Sequence, residues 1–461
     1  MPAPTLKIDG ARFAITLDAE RRVIQDASIL VEGQRITRVG KAAELADVGA
    51  DRVIDGRQFV VTPGFFNGHM HISYAHAVRG IFPDDIDPPT RLFNVFNLQS
   101  AMTEEEEYLT TLVGILELLQ NGTTSFLDPG TTRFPDACLQ AYQDSGIRVV
   151  WAECVNDLPA RVKQPLYSIE ECVSRTAAFV EKWHGKLDGR MAAWAMAFSA
   201  ETATVELLQE LKRVVDERGV GLTLHHSASA ALNARYQAEA GITLTEHLER
   251  SGVLGPNVLL AHCIGLADAE LDAVARSGAS ATTCPVRDMK EAAGVGRNAR
   301  APQLLERGIP LVLGSDSANS SNHLDGIRTA NMLAVQFKDA RTDVRQIPAE
   351  TALETITTNG AKAFGQAADL GSIEAGKKAD LVLFDTARPE WQSIFNPINN
   401  LIYNADGRSV DTVIVDGKVV VEGGQQSFVD AGALYGKVQE IGESLQARTG
   451  ISFPRSRWPM V

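Results

Sequence analysis

Apolar and polar positions change rhythm twice along the chain. Over the first 60 residues short alternating runs predict strands at Leu6–Ile8, Phe13–Leu17, Ala27–Val31, Arg35–Val39 and Arg52–Asp55, most of them separated by Gly or Asp turns. The same texture returns at Asp380–Asp385 and Val410–Val421, the latter folded at Asp416-Gly417. Neither end has enough strands for a stable sheet with a buried face, so one small β-domain built from both ends is expected. Between them lie nearly continuous apolar runs: Phe59–His71, Thr123–Asp128, Arg148–Val155, Met191–Ser199, Val220–His226, Val258–Cys263, Ser280–Pro285 and Pro310–Asp316. Helical stretches separate them. Thr103–Gln120 opens on the capping box Thr103-x-x-Glu106 and stops at Asn121-Gly122, Val205–Arg218 ends at Gly219, and Asp268–Arg276 ends near Gly278.

Eight apolar strands, each followed by a helix, suggest a closed parallel barrel. The fold expected is α/β: a (β/α)8 TIM-like barrel over 61–365, a composite β-sandwich from 1–60 and 366–430, and a C-terminal helical tail at 431–461. An open doubly wound sheet is the rival, but no G-x-G-x-x-G follows a strand. The segment Ile72–Leu98, rich in Pro and Asp, reads as a long irregular loop over the barrel mouth.

Composition narrows the function classes. The 461 residues carry 44 Lys+Arg against 58 Asp+Glu, a net charge of −14. That balance disfavours nucleic acid or an anionic membrane as partner. No run reaches 18 apolar residues, and the first residues show no signal-peptide pattern. Five cysteines without C-x-x-C spacing read as free thiols in a reducing compartment. A cytoplasmic homo-oligomeric enzyme with a small-molecule substrate is expected.

In such barrels chemistry gathers at the C-terminal ends of the strands. Five of the nine histidines fall there: His69 and His71 after the first, His225 and His226 at the fifth, His262 at the sixth; Asp316 ends the eighth. A lone histidine at a strand end is more often a satisfied polar residue, but four strands of one barrel presenting them together form a site. Residues i and i+2 share a strand face, so His69 and His71 both point inward. Leu222 and Leu224 facing the outer helices put Thr223 and His225 inside, and His226 outward or on the rim. Imidazoles plus one carboxylate suit one divalent ion, Zn²⁺ first, with Co²⁺, Fe²⁺ or Mn²⁺ as alternatives.

Several phrases, Val61–His71, Arg79-Gly80, Asn121–Thr124, Leu260–Cys263, Gly314–Asn322 and Leu370–Asp380, resemble the amidohydrolase superfamily, in its branch of cytosine-deaminase-like and triazine-hydrolase-like enzymes. The resemblance spans nearly the whole chain. It implies a distorted (β/α)8 barrel with a composite β-sandwich, metal ligands at His69, His71, His225 and Asp316, and His262 beside the activated water. The fourth strand carries no lysine of the kind that bridges two metals, which implies a single ion. Deaminases of the branch carry H-x-x-E at the fifth strand, whereas Ala228 stands three residues after His225. The fourth strand ends Phe198-Ser199 instead of Pro-His, and the seventh leads into Cys284–Asp288 instead of a Pro-x-Ser-Asn phrase.

In these departures the chain resembles thiocarbamate (molinate-type) and phenylurea hydrolases. The expected reaction is therefore hydrolysis at a carbamate, thiocarbamate or urea carbonyl, releasing a thiol or arylamine. The alternative is an aminohydrolase or chlorohydrolase of an aminoheterocycle such as a triazine, pyrimidine or pterin. His262 and Asp316 are the expected catalytic residues. His226, Ser199, Glu201 and Arg79 are the candidate substrate contacts, and protonated Asp316, His226 or Glu201 the candidate general acids.

Overall fold

The computed structural model describes residues 3–160, 164–453 and 458. Eight parallel strands follow one another in space as in sequence: Phe65–Asn67, Thr123–Asp128, Arg148–Val155, Met191–Ser199, Leu222–His226, Val258–His262, Ser280–Thr283 and Leu311–Leu313. Gly68 N donates to Leu313 O at 2.7 Å and Asp316 N to His69 O at 2.9 Å, which joins the last strand to the first. This is the expected barrel, with helices outside. Gly68 permits the closure: a Cβ there would stand 2.4 Å from Val312 Cγ1 and 2.7 Å from Thr282 Oγ1.

The second sheet draws nine strands from both ends of the chain. The two early runs expected at Leu6–Ile8 and Phe13–Leu17 are one strand, Thr5–Ile15, with a bulge between Ile8 and Ala11 where Gly10 takes φ +67°. The apolar run Phe59–His71 splits: Phe59–Pro63 pairs antiparallel with Leu381–Asp385 in the terminal sheet, and the barrel begins only at Phe65. The barrel boundary expected at 61 therefore falls inside a strand of the other sheet.

The two units meet over a buried ionic knot. Arg148, at the start of the third barrel strand, sets Nε 3.1 Å from Asp380 Oδ2, and its Nη2 3.0 Å from Asp380 Oδ1 and 3.1 Å from Asp416 Oδ1. All three side chains are almost fully buried.

The segment expected as irregular contains a helix, Pro88–Ser100. Asp87 caps it by accepting from Thr90 N at 3.1 Å, with prolines in the first turn where no backbone donor is needed. A helix over Ala431–Thr449 forms the tail, of which 454–457 and 459–461 lie outside the described residues. Among the described residues no helix is long and apolar enough to cross a membrane. The five cysteines are free, four of them buried.

Candidate metal centre

Strand-end backbone and local hydrogen bonds aim the polar side chains at one point over the barrel. Asn67 Oδ1 accepts from His69 N at 3.3 Å and Ser315 N at 3.2 Å, tying the first strand end to the eighth. His262 (φ +82°) and Asp316 (φ +56°) occupy the left-handed region, a strain of about 1–3 kcal/mol for non-glycine residues that is characteristic of functional sites.

Ligand-type atoms of His69, His71 and His225 lie within 4.8 Å of one another, as do those of His69, His262 and Asp316. His71 Nε2 is 3.3 Å from His225 Nε2 and 3.8 Å from Asp316 Oδ1. The outward nitrogens of two rings are engaged: His71 Nδ1 lies 2.8 Å from Thr131 Oγ1, and His225 Nδ1 lies 2.6 Å from the carbonyl of Phe198. A carbonyl only accepts, so His225 carries its proton on Nδ1 and offers the Nε2 lone pair inward. Both ring nitrogens of buried His69 lack any hydrogen-bond partner.

Desolvation draws His71 down to about 4 and His225 to about 3, and holds His69 well below the ordinary imidazole range; the neighbouring imidazoles reinforce it for His69 and His225. All three rings are neutral at pH 7, the form that ligates metals. Burial alone would raise the Asp316 carboxyl, but the positive charge that His71 and Arg287 can place beside it lowers it well below the usual carboxylate range, and at pH 7 the Arg287 guanidinium is the charge that remains. Orphaned buried nitrogens, neutral imidazoles with fixed tautomers and an ionised carboxylate fit a divalent cation.

The cluster opens into a cavity of about 440 Å³ whose walls include Tyr74, Phe96, Phe198, Leu232 and Tyr236 with Ser199, Glu201 and His262. Leu92, Val95 and Arg91 of the mouth helix close one side. Glu201 lies 2.6 Å from Arg235. Ala228 lines the cavity, so no carboxylate enters from that position.

Two expected contacts are corrected. His226 does not line the cavity: it is fully buried at the end of the fifth strand, Nε2 3.0 Å from Thr245 Oγ1, and parity turns it away. Arg79 lies on another face, where it and His76 (2.7 Å) bind Glu117 next to the C-terminal helix. Glu117 also accepts from Leu324 N at 3.0 Å.

Arg91, Arg287, Asp288 and Glu291 were not anticipated as site residues. Arg287 Nε is 3.3 Å from Asp316 Oδ2, and Asp288 Oδ1 is 3.7 Å from His262 Nδ1. The unusual Cys284–Asp288 phrase was the available signal.

A sequence model of the amidohydrolase family matches residues 60–420. The 5'-deoxyadenosine deaminase of Methanothermobacter thermautotrophicus is 32% identical over 415 residues, covering 88% of this chain and 92% of its own. The 5-methylthioadenosine/S-adenosylhomocysteine deaminase of Thermoanaerobacter pseudethanolicus is 29% identical over 440 residues, covering 94% and 98%. The crystal structure of an adenosine deaminase from Xanthomonas campestris with bound zinc superposes with a TM-score of 0.89 at 24% identity, covering 97% and 100%.

Proposed function

The chain belongs to the amidohydrolase family, and on that footing we propose that it is an aminohydrolase, removing the exocyclic amino group of an aminoheterocycle. The observation that carries this is the His69–His71–His225–Asp316 set opening on a ring-sized, aromatic-walled cavity in a chain so similar to named deaminases. This departs from the carbamate or urea cleavage expected from the sequence, because the relatives reported above are named as deaminases.

A divalent ion in this set would supply Lewis acidity and lower the pKa of a water molecule. The chain's own groups supply the rest. Thr131 and the Phe198 carbonyl hold His71 and His225 in ligating tautomers. His262 Nδ1 faces Asp288 Oδ1 at 3.7 Å, and in this reading its Nε2 accepts a proton from the attacking water. Protonated there, with Asp288 behind it, the ring returns that proton to the departing nitrogen as ammonia leaves. This route requires no glutamate at position 228. Tyr74, Phe96 and Phe198 exclude bulk water and offer flat surfaces to a heteroaromatic ring.

One observation favours a second reading, hydrolysis of a urea or carbamate. Ala228 puts no carboxylic acid at that position, and of the cavity's carboxylates Asp316 is ionised while Glu201 and Glu239 lie 2.6 Å and 3.6 Å from Arg235. Anilines and thiols leave with less protonation than ring amines do. The test is one assay series on metal-reconstituted protein with aminopurine nucleosides, aminopyrimidines, pterins and triazines beside phenylureas and thiocarbamates. Ammonia release from the first group alone supports deamination; turnover of the second group alone replaces it with the second reading.

A further inference from the structure

Arg287 is a guanidinium in the cavity wall that the reaction above leaves without a part. It stands on the short helix Pro285–Lys290, just past the seventh barrel strand. Its donors face three different carboxylates: Nε is 3.3 Å from Asp316 Oδ2, Nη1 2.9 Å from Asp288 Oδ1, and Nη2 2.8 Å from Glu291 Oε2. Glu291 is gripped from the other side by Arg91 of the mouth helix, whose Nη1 also donates to Ser320 Oγ at 2.6 Å. Asp288 is fully buried, and the side chains of Asp316 and Glu291 are nearly so.

We propose that Arg287 is the positioning residue for Asp316, engaging Oδ2 so that Oδ1 is held towards His71 and the metal centre. Oδ1 is the atom 3.8 Å from His71 Nε2, and it accepts from Ser317 N at 2.7 Å. One oxygen accepts from a backbone amide and the other forms an ion pair with the guanidinium, so each atom of the carboxylate faces its own partner. Arg287 is the guanidinium that Asp316 and Asp288 share. A planar fork reaches three acceptors in different directions, which a single ammonium does not. Such outer partners typically alter metal affinity by roughly 10–100-fold.

The inference rests on Asp316 being a metal ligand, and the experiment separates the two. Co²⁺ would be titrated into metal-stripped wild type, R287Q, R287K, E291Q and D316N, reading the dissociation constant and the visible d–d spectrum. R287Q and R287K are expected to bind Co²⁺ roughly 10–100-fold more weakly, with a shifted spectrum. E291Q, which frees only one of the three links, should be weaker by a smaller factor. Unchanged affinity and spectrum in R287Q, or in E291Q should R287Q not fold, overturns the proposal. Loss of the ion in D316N with wild-type affinity and spectrum in R287Q refutes the role of Arg287 alone; full affinity in D316N refutes the ligand set, and this inference with it.

Discussion

Thr131→Val isolates the support of a single ligand. His71 Nδ1 lies 2.8 Å from Thr131 Oγ1, and both residues are buried. Since Nε2 faces His225 and Asp316, the Nδ1 proton points at Thr131. Valine keeps the shape of threonine and removes the acceptor. The stranded N–H costs about 1–3 kcal/mol, and the ring can escape that cost only by turning or by changing tautomer. Either response withdraws the lone pair from the metal centre. A loss of about 10–100-fold in metal affinity follows, or about 1.4–2.7 kcal/mol. Because the ion binds only the folded chain, the stabilisation it adds at fixed excess should shrink by the same amount. Chelator competition measures the first quantity, and denaturant unfolding with and without metal the second. Thr131→Ser should recover most of the loss. The backbone carbonyl of Thr131, which accepts from Gln99, is untouched by either change. A valine variant whose affinity stays within about twofold of wild type would refute the reasoning, because a 2.8 Å buried bond to a ligand would then carry no orienting energy.

Three further outcomes are expected. His262→Ala should retain the metal and lose activity by roughly 10²–10⁴-fold; full activity, or an empty site by metal analysis, would count against its role. Arg148→Leu removes the guanidinium that bonds both Asp380 and Asp416, leaving Lys378 3.1 Å from Asp416 Oδ1, and should cost about 3–5 kcal/mol in denaturant unfolding; an unchanged midpoint would refute it. Burial pushes Asp128 up to about 7, despite its bonds from Tyr142 (2.6 Å) and Gly130 N (2.9 Å). Its raised folded pKa gives stability that is fully present below about 3.8 and is lost as pH rises through about 7, up to about 4 kcal/mol in all. Asp128→Asn should flatten that slope between pH 4 and 7, and an unaltered slope in urea midpoints would rule Asp128 out as its source.

Much of the site was legible because strand geometry is local. The two-residue period placed His69 with His71 and chose His225 over His226, whose ring is indeed packed against Thr245. Apolar runs marked the eight barrel strands, since a strand covered on both faces has no polar side to show. Asp87-Pro88-Pro89 carried a helix-start signal within a segment expected to be irregular, and the helix it opens closes the cavity.

What the chain alone determined were the properties that depend on near neighbours: strand positions, inward and outward faces, and caps. Tertiary structure decided the pairings between distant segments. Nothing within Phe59–His71 says that its first half pairs with Leu381–Asp385 while its second half opens the barrel. Arg79 sits eight residues after His71, yet Glu117 draws it to the far side of the mouth segment. Arg287 lies within the unusual phrase Cys284–Asp288, but its three carboxylate partners come from the eighth strand end, its chain neighbour and the next helical turn. Buried charges must find partners wherever the fold brings them, because desolvation leaves them no other way to be satisfied, and that requirement has no period in the sequence.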